Sequence, residues 1–529
     1  MHLFVVGPPG IGKSTVAPVL ARHFGASVFE LDREIQRRAG KPNKDFIEQD
    51  GIDRFREVES SVLTGLAATP SWVVVDTGGG APIRKENRAL MRSLGLIIGL
   101  RGSLDRVASG IAATQEKRPY QNVAPRDRAR QVLRERKAAY ADTDVTFDVD
   151  GATSEETARA IAAWLVSARG VRIDVAGPEQ PCRVLIRAGL LEHVGPHLAD
   201  LGWRGQVAVV SDAPTAARYE PDLQRSLASV GLKAVTLRVP AGERGKQLRI
   251  AAQLWASLAS SRIGRDGGII ALGGGSVGDV AGFVAATYLR GIRLAQVPTT
   301  LLGMADASIG GKTAIDIAAG KNLVGAFHSP DAVFADLAVL ATLPARQLSS
   351  GLAEVTKCAF LADRESVQQL ARSLENVRAG DLGAVLAAVT IAAEVKAGIV
   401  SQDPRESGLR ELLNFGHTMG HAYEAASSYR VTHGEAVAVG MVYATALAER
   451  LELTTPNVRP ELENLLDRAA LPTRARLPKG VWDFVLQDKK ARGGKLRWIL
   501  PRRIGQFSEV TDVGEPALRA AARVVERAA

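Results

Sequence analysis

Cysteine is almost absent: Cys182 and Cys358 are the only two in 529 residues. They make neither a C-x-x-C pair nor a framework of spacings, so a disulfide-stapled scaffold is excluded and a reducing compartment is expected. Aromatic residues are also sparse, at 5%. The net charge of +10 invites nucleic acid as a partner. Yet no Arg/Lys run is interleaved with aromatics and no zinc-finger spacing occurs, so no nucleic-acid role is expected. Small anionic substrates account for the basic excess equally well, since phosphates and carboxylates are held by Arg and Lys. Met1 leads straight into the strand-like His2-Leu3-Phe4-Val5-Val6 with no basic region, apolar core or cleavage site, and no apolar run reaches membrane-spanning length. The expectation is a cytoplasmic protein without a membrane partner.

What is present is the mixture of a globular chain with a large core, 46% hydrophobic and 23% charged. The length suggests several folding units. Apolar β-rich runs alternate with helical patterns in both halves, so the fold class is α/β. A first unit runs over 1–168 and ends in a helical pattern from Ser154 to Val166. The stretch 169–181, carrying Gly170, Gly177, Pro178 and Pro181, has no sustained periodicity and reads as a linker. A second α/β unit covers 182–343, and from Pro344 to 529 long Ala/Leu-rich patterns predict a mainly helical unit.

In the first unit Gly7-Pro8-Pro9-Gly10-Ile11-Gly12-Lys13-Ser14-Thr15 follows a strand and opens a helix, the context a Walker A loop requires. Glycines such as Gly10 and Gly12 let backbone N–H groups wrap a β-phosphate, and the helix N-terminus adds a favourable dipole. Lys13 is placed to reach the β/γ-phosphates, Ser14 to offer its hydroxyl to Mg²⁺, and Thr15 completes the loop. A GTPase reading has Asp76-Thr77-Gly78-Gly79 in its favour but no N-K-x-D motif, since Asn43-Lys44-Asp45-Phe46 misses it.

The unit resembles shikimate kinase over nearly all its length. The resemblance is carried by the loop, Phe29-Glu30-Leu31-Asp32, Phe55-Arg56-Glu57-Val58-Glu59, Val73-Val74-Val75-Asp76-Thr77-Gly78-Gly79-Gly80, Lys117-Arg118-Pro119, and Arg136 four residues before Tyr140. It implies that ATP and Mg²⁺ phosphorylate shikimate. Arg56 and Arg136 would clamp the substrate carboxylate, and Asp32 would orient or deprotonate the reacting hydroxyl. The Gly78–Gly80 backbone would admit the ring, and Arg118 in a lid would steady the transferring phosphoryl group. Glu30 stands where the family usually has Asp.

In the second half, Gly268-Ile269-Ile270-Ala271-Leu272 precedes Gly273-Gly274-Gly275-Ser276-Val277-Gly278-Asp279, a strand-to-helix turn suited to a pyrophosphate. Pro240-Ala241-Gly242-Glu243-Arg244-Gly245-Lys246 and Pro298-Thr299-Thr300 follow neighbouring strands. Further on, Arg410, Asn414, His417 and His421 fall at i, i+4, i+7 and i+11. At about 100° per residue that spacing predicts one face of one helix. His433, in Thr432-His433-Gly434-Glu435, can add a ligand from the start of the next helix. Pattern alone leaves metal binding and structural histidines both open.

From about Arg183 to Val513 the chain resembles 3-dehydroquinate synthase. The motifs are the Gly273–Asp279 turn, Pro298-Thr299-Thr300-Leu301-Leu302, Ser308-Ile309-Gly310-Gly311-Lys312-Thr313, Gly320-Lys321-Asn322, Gly351-Leu352-Ala353-Glu354-Val355-Thr356-Lys357, the two-histidine segment, and Asp488-Lys489-Lys490. The resemblance implies conversion of 3-deoxy-D-arabino-heptulosonate 7-phosphate to 3-dehydroquinate and phosphate, with NAD as a recycled redox cofactor and Zn²⁺ or Co²⁺ as metal. Glu354, His417 and His433 would hold the metal, and His421 and Glu406 would move protons. NAD would contact Gly274, Gly275, Asp279, Glu243, Lys246, Thr299, Thr300, Lys321 and Thr342. Substrate would contact Asp306, Lys312, Asn322, Lys357, Arg410, Asn414 and Lys490, with Lys489 as the alternative to Lys490. Arg290 in Leu289-Arg290-Gly291 would reach a neighbouring subunit, implying a homodimer. The whole chain then reads as a P-loop kinase domain ahead of a synthase with a dinucleotide-binding α/β domain and a helical metal-binding domain. The alternative is a P-loop small-molecule kinase fused to a metal-dependent polyol dehydrogenase, which would need no set of phosphate-binding lysines.

Overall fold

A computed structural model describes residues 1–69, 72–113, 123–177, 180–491 and 496–527. The chain forms two compact units, one of Met1–Leu165 with Ala371–Ser373 and one of Val166–Leu370 with Leu374–Ala529.

The first unit is built on five strands: β1 (His2–Val6), β2 (Ser27–Glu30), β3 (Val73–Asp76), β4 (Gly95–Arg101) and β5 (Val145–Asp148). They lie in the order β2-β3-β1-β4-β5, every pair parallel. β1 is buried along its whole length, as its unbroken apolar run requires of a central strand covered on both faces. Phe4, Val6, Val73, Val75 and Ile97 pack with Leu31, Ile35, Phe55, Val62 and Leu63 from the helices Leu31–Ala39 and Ile52–Gly65. Truncating one of these large side chains, as in Phe4→Ala, would cost about 3–5 kcal/mol. Because β1, β2 and β3 are parallel neighbours, the segments leaving their carboxyl ends converge: the glycine loop from β1, the Leu31 helix from β2, and Thr77–Gly80 from β3.

The second unit contains β6 (Val171–Val175), β7 (Cys182–Arg187), β8 (Gln206–Asp212), β9 (Lys233–Val239), β10 (Gly268–Gly273), β11 (Arg293–Pro298), β12 (Lys312–Ile317), β13 (Gly320–Phe327) and β14 (Ala332–Asp336). Seven of them form one sheet in the order β6-β7-β14-β11-β10-β8-β9, and β12 with β13 forms a separate hairpin. All pairs in the large sheet are parallel except β6 with β7. β6 corrects the reading of 169–181 as a linker. Val171 and Val175 are buried while Arg172 and Asp174 face out, so the five residues alternate as an edge strand should. The neighbouring Gly170, Gly177 and Pro181 obscured so short a pattern.

Beyond β14 the chain is mostly helical, as expected, with one hairpin, β15 (Trp498–Arg503) and β16 (Gln506–Val510). Among the described residues one helix, Leu382–Gln402, is long and apolar enough to cross a membrane, with mean hydropathy 1.8, contrary to the sequence reading. Of its most apolar window, 78% is buried inside the fold, where it packs on the helix Ala345–Ala362 as a core element.

The expected continuous helix through Arg410 and His421 is broken. A short 3₁₀ turn, Leu409–Asn414, ends before Phe415, and a new helix runs from His417 to Ala426. Gly416 makes the break. Its φ is +80°, and a Cβ there would lie 2.5 Å from the Met441 side chain. Only glycine combines that backbone with so close an approach. The helix His433–Arg450 comes equally near at Gly440, where a Cβ would meet Gly416 O at 2.0 Å. The two histidine-bearing helices therefore pack backbone to backbone.

Candidate active sites

In the first unit Lys13 opens the helix Lys13–His23, capped by Gly12 in the left-handed region at φ +112°. Its ammonium folds onto the loop, donating to Gly7 O at 2.9 Å and Pro8 O at 3.0 Å. Gly10 has φ +79°, and a Cβ on it would lie 2.4 Å from the backbone of Gly110. Ser14 and Thr15 follow in the first turn, Thr15 Oγ1 donating to Gly12 O at 2.8 Å.

The Gly78–Gly80 turn is where the proposed substrate groups meet. A Cβ on Gly78 would fall 2.8 Å from Asp32 Oδ1, and one on Gly80 would fall 2.0 Å from Arg56 Nη1. Arg136 Nη1 and Tyr140 OH each donate to Gly79 O at 2.7 Å. Asp32, Arg56 and Arg136 thus surround one glycine turn although they come from three separate segments. Glu59, quoted in the sequence motif without a role, accepts from Arg56 Nη1 at 2.7 and 2.8 Å and is itself buried. Burial raises its carboxyl pKa against the opposing pull of the Arg56 charge. Glu30 pairs with Arg33 on the surface at 2.9 Å. Arg118 lies outside the described residues.

In the second unit the glycine turn leaves β10 and enters the helix Gly275–Thr287. A Cβ on Gly274 would come 3.3 Å from Thr300 Cγ2, while one on Gly278 would meet Gln296 Oε1 at 2.7 Å. Thr299 N donates to Gly273 O at 2.9 Å, joining the carboxyl ends of β10 and β11. Lys246 is buried and donates to Asp279 Oδ2 at 2.7 Å and Asn322 Oδ1 at 2.5 Å. Burial raises the Asp279 carboxyl pKa, with the Lys246 charge opposing it. Glu243 lies 3.9 Å from Lys246 and 3.4 Å from Lys321. Thr342 is tied to Tyr219 and donates to Val339 O at 3.2 Å. Asp212 ends β8 beside β10 and caps the next helix by accepting from Thr215 N at 3.0 Å.

Glu354, His417 and His433 offer three ligand atoms that all lie within 4.8 Å of one another. Glu354 is fully buried on the helix Ala345–Ala362. His433 is the first residue of its helix, set by a capping box between Thr432 and Glu435. Glu354 Oε1 is 3.2 Å from His433 Nε2 and 3.5 Å from His417 Nε2. The opposite ring nitrogens are occupied: His417 Nδ1 faces Phe415 O at 3.2 Å, and His433 Nδ1 faces Glu424 Oε2 at 3.4 Å. With each Nδ1 so engaged, both imidazoles turn Nε2 toward Glu354, and the donor set fits a divalent ion that would replace any proton there, with room for further ligands.

His421 stands beside this trio, its ring centroid 5.1 Å from that of His417 and 5.8 Å from that of His433. Although the residue is exposed, desolvation of its ring by the crowded surroundings and then the His433 charge push its pKa down to about 4. Burial disfavours charge on His433 too, but its bonds to Glu354 and Glu424 outweigh that and hold it at about 10.

Cations crowd the same region. Lys357 is fully buried against Glu354. Lys312 Nζ is 2.6 Å from Glu406 Oε2, and Asn414 Nδ2 donates to Glu406 Oε1 at 3.3 Å. Arg410, also buried, donates to Gly310 O at 2.8 Å and Pro404 O at 2.7 Å. Sequence reasoning missed Lys396, which donates to Asp306 Oδ1 at 2.5 Å from within the apolar helix Leu382–Gln402. A lone lysine in so apolar a run was the available signal. Burial disfavours the Asp306 carboxylate, but Lys396 and Lys357 hold its pKa below the ordinary value. Lys490 belongs to the helix Val481–Ala491, its side chain and that of Lys489 outside the described residues. Arg290 is exposed at the bend Tyr288–Arg290.

Comparison with known proteins matches both halves. Residues 9–166 match the shikimate kinase family model, residues 236–350 the amino-terminal model of 3-dehydroquinate synthase, and residues 351–491 its carboxy-terminal model. The 3-dehydroquinate synthase of Symbiobacterium thermophilum is 43% identical over 349 residues, 64% of this chain and 97% of that protein. That of Caulobacter vibrioides is 43% identical over 352 residues, 65% of this chain and 95% of that protein. Among solved structures, 2-epi-5-epi-valiolone synthase from Streptomyces hygroscopicus, with NAD⁺ and Zn²⁺ bound, matches with a TM-score of 0.61 and 28% identity. The match covers 65% of this chain and 96% of that one. A 2-deoxy-scyllo-inosose synthase shares the fold at a TM-score of 0.59 and 24% identity, over 66% of this chain and 98% of that one. The chain belongs to the 3-dehydroquinate synthase family and carries a shikimate kinase domain fused ahead of it, a transferase and a lyase in one polypeptide.

Proposed function

We propose that the two sites act with the residue roles that the family resemblance implies. In the kinase, Gly10, Gly12, Lys13, Ser14 and Thr15 hold ATP and its Mg²⁺. Arg56 and Arg136 clamp the shikimate carboxylate over Gly78–Gly80, Asp32 aligns the attacking hydroxyl, and Arg118 steadies the transferring phosphoryl group. Glu59 keeps the Arg56 fork aimed at the turn.

In the synthase, Glu354, His417 and His433 hold Zn²⁺ or Co²⁺. The Gly274–Asp279 turn, with Glu243, Lys246, Thr299, Thr300, Lys321 and Thr342, holds NAD. When bound, the metal supplies Lewis acidity and NAD supplies reversible hydride acceptance. Lys312, Lys357, Arg410, Asn414 and Lys490 hold the carboxylate and phosphate of 3-deoxy-D-arabino-heptulosonate 7-phosphate, aided by Asp306, Asn322 and Lys396. His421 and Glu406 carry protons, and neutral His421 is suited to accept one. The carrying observation is the Glu354, His417 and His433 trio with buried Lys357 against it, and buried Lys396 and Arg410 and exposed Lys312 on neighbouring segments. A neutral polyol would give the three buried cations no charge to hold, which argues against a polyol dehydrogenase. Arg290 on the surface would complete the site of a second copy, making the enzyme a homodimer, and the buried free thiols suit the cytoplasm. The domain limits are 1–168, 182–343 and 344–529, with β6 assigned to the synthase.

The test is a pair of coupled assays on one purified preparation. Wild-type protein should release phosphate from the heptulosonate phosphate and phosphorylate shikimate. Lys13→Ala should abolish only the second activity. Equal loss of both in folded protein would refute the two-site reading.

A further inference from the structure

Glu424 has no role in the assignments above. It lies two turns along the helix that begins at His417, and its two oxygens face different groups. Oε2 is 3.4 Å from His433 Nδ1, while Oε1 accepts from Lys321 Nζ at 3.0 Å. The carboxylate is 14% exposed and the lysine side chain 22%, so neither is a freely solvated surface group. Lys321 is fixed from a third direction. Its ammonium sits 3.7 Å from the centroid of the Tyr429 ring, a cation–π distance well inside the effective range.

Tyr429 reaches that position by an unfavourable backbone. Ser428 has φ +53° and Tyr429 φ +58°, consecutive left-handed residues that are not glycine, a conformation L-residues disfavour. The turn closes through Tyr429 N donating to Glu424 O at 3.0 Å. The strained turn, the ring, the lysine and the carboxylate form one unit that ends on a histidine nitrogen.

We propose that Glu424 is the positioning residue for His433. It accepts from Nδ1–H and so holds the ring with Nε2 toward Glu354 and His417, and Lys321 beneath Tyr429 fixes the carboxylate. The proposal rests on the metal-site reading above. His433 needs such a device. As the first residue of its helix it is 26% exposed at the side chain, so packing alone does not fix its ring. His417 meets the same need with the Phe415 carbonyl. A carboxylate also makes its imidazole a more basic ligand than a carbonyl does.

The experiment uses the full chain, stripped with chelator and titrated with Co²⁺ alone, followed by its d–d absorption and a competition-derived Kd. Glu424→Gln keeps the shape but removes the charge. It should weaken Co²⁺ binding by about 10–100-fold and alter the absorption bands, while the metal-free protein melts near the wild-type temperature. Lys321→Met should shift affinity the same way by less. If wild type takes up no stoichiometric Co²⁺, the metal-site reading itself falls. If wild type binds and Glu424→Gln matches it within twofold with an unchanged spectrum, this inference is overturned. Should Glu424→Gln fail to fold, Lys321→Met with affinity and spectrum equal to wild type overturns it equally.

Discussion

Gly80 and Arg56 fit together so closely that a single methyl group cannot come between them: a Cβ at position 80 would lie 2.0 Å from Arg56 Nη1. Glu59 anchors the same guanidinium from behind at 2.7 Å. Gly80→Ala must therefore push the arginine off its anchor. A charge-assisted hydrogen bond is worth about 1.5–3 kcal/mol, so the kinase should lose roughly tenfold to a hundredfold in kcat/KM for shikimate, mainly through KM. Synthase turnover should be unchanged. Steady-state kinetics of both activities on one preparation would check this, and an unaltered shikimate KM would remove Arg56 from the binding site.

The glycine loop, Asp32 and the Gly78–Gly80 turn were legible in the sequence because each follows one of three consecutive strands of one parallel sheet, whereas Arg56 on a helix and Arg136 between two were named through the resemblance. The metal helix was misread for a physical reason. Arg410, Asn414, His417 and His421 have helical spacing, but Gly416 carries φ +80° against Met441, and tertiary packing decided the local backbone. His433 was read as standing at the start of the next helix, and its ligand role came with the family resemblance. Lys396 had one local signal, its place as the lone lysine of an apolar helix, but its partner Asp306 is distant in sequence; Glu424 carries none and matters only through Lys321 and His433. The strand Val171–Val175 was lost for want of length.

Removing one metal ligand distinguishes neighbouring histidines. His433→Ala leaves Glu354 and His417, and two protein ligands do not hold Zn²⁺ tightly. Elemental analysis of purified protein should show metal content fallen to a small fraction of the wild-type value, with synthase activity lost and kinase activity kept in excess Mg²⁺. His421→Ala should keep its metal while losing most turnover. Full metal content in His433→Ala, with metal lost from His421→Ala, would exchange the two roles.

Burial pushes both thiols up to about 12, Cys182 on β7 and Cys358 beside Lys357. An aromatic disulfide reagent at pH 8 should thus find almost no thiolate in the native protein and two thiols after denaturation. The same shift sets a stability slope. Unfolded thiols ionise near their ordinary value of 9.0 while the folded ones stay protonated to about 12. The unfolded state therefore binds fewer protons in that window. Each thiol's contribution is intact below pH 9 and declines above it, by about 1.4 kcal/mol per pH unit. Urea unfolding of Cys182→Ala should show a shallower loss of stability above pH 9 than wild type. Rapid native labelling of either cysteine would contradict the burial.

Where the chain is divided should decide whether the synthase survives alone. Val166 O accepts from Ala188 N at 2.9 Å, and β6 pairs along all five residues with β7. A fragment beginning at Val166 keeps both features, so it should be soluble and carry the synthase activity. A second fragment ending at Arg169 should carry the kinase activity, since every kinase residue named above precedes that point. A synthase fragment beginning at Gln180 loses β6 and leaves β7 as an unpaired sheet edge, a template for pairing with other chains. It should aggregate on concentration, seen by light scattering, and melt at a lower temperature. The edge strand has little role in this if the Gln180 fragment stays monodisperse and melts like the longer one. Should either of the two longer fragments regain turnover only when mixed with the other, the halves are not independent enzymes.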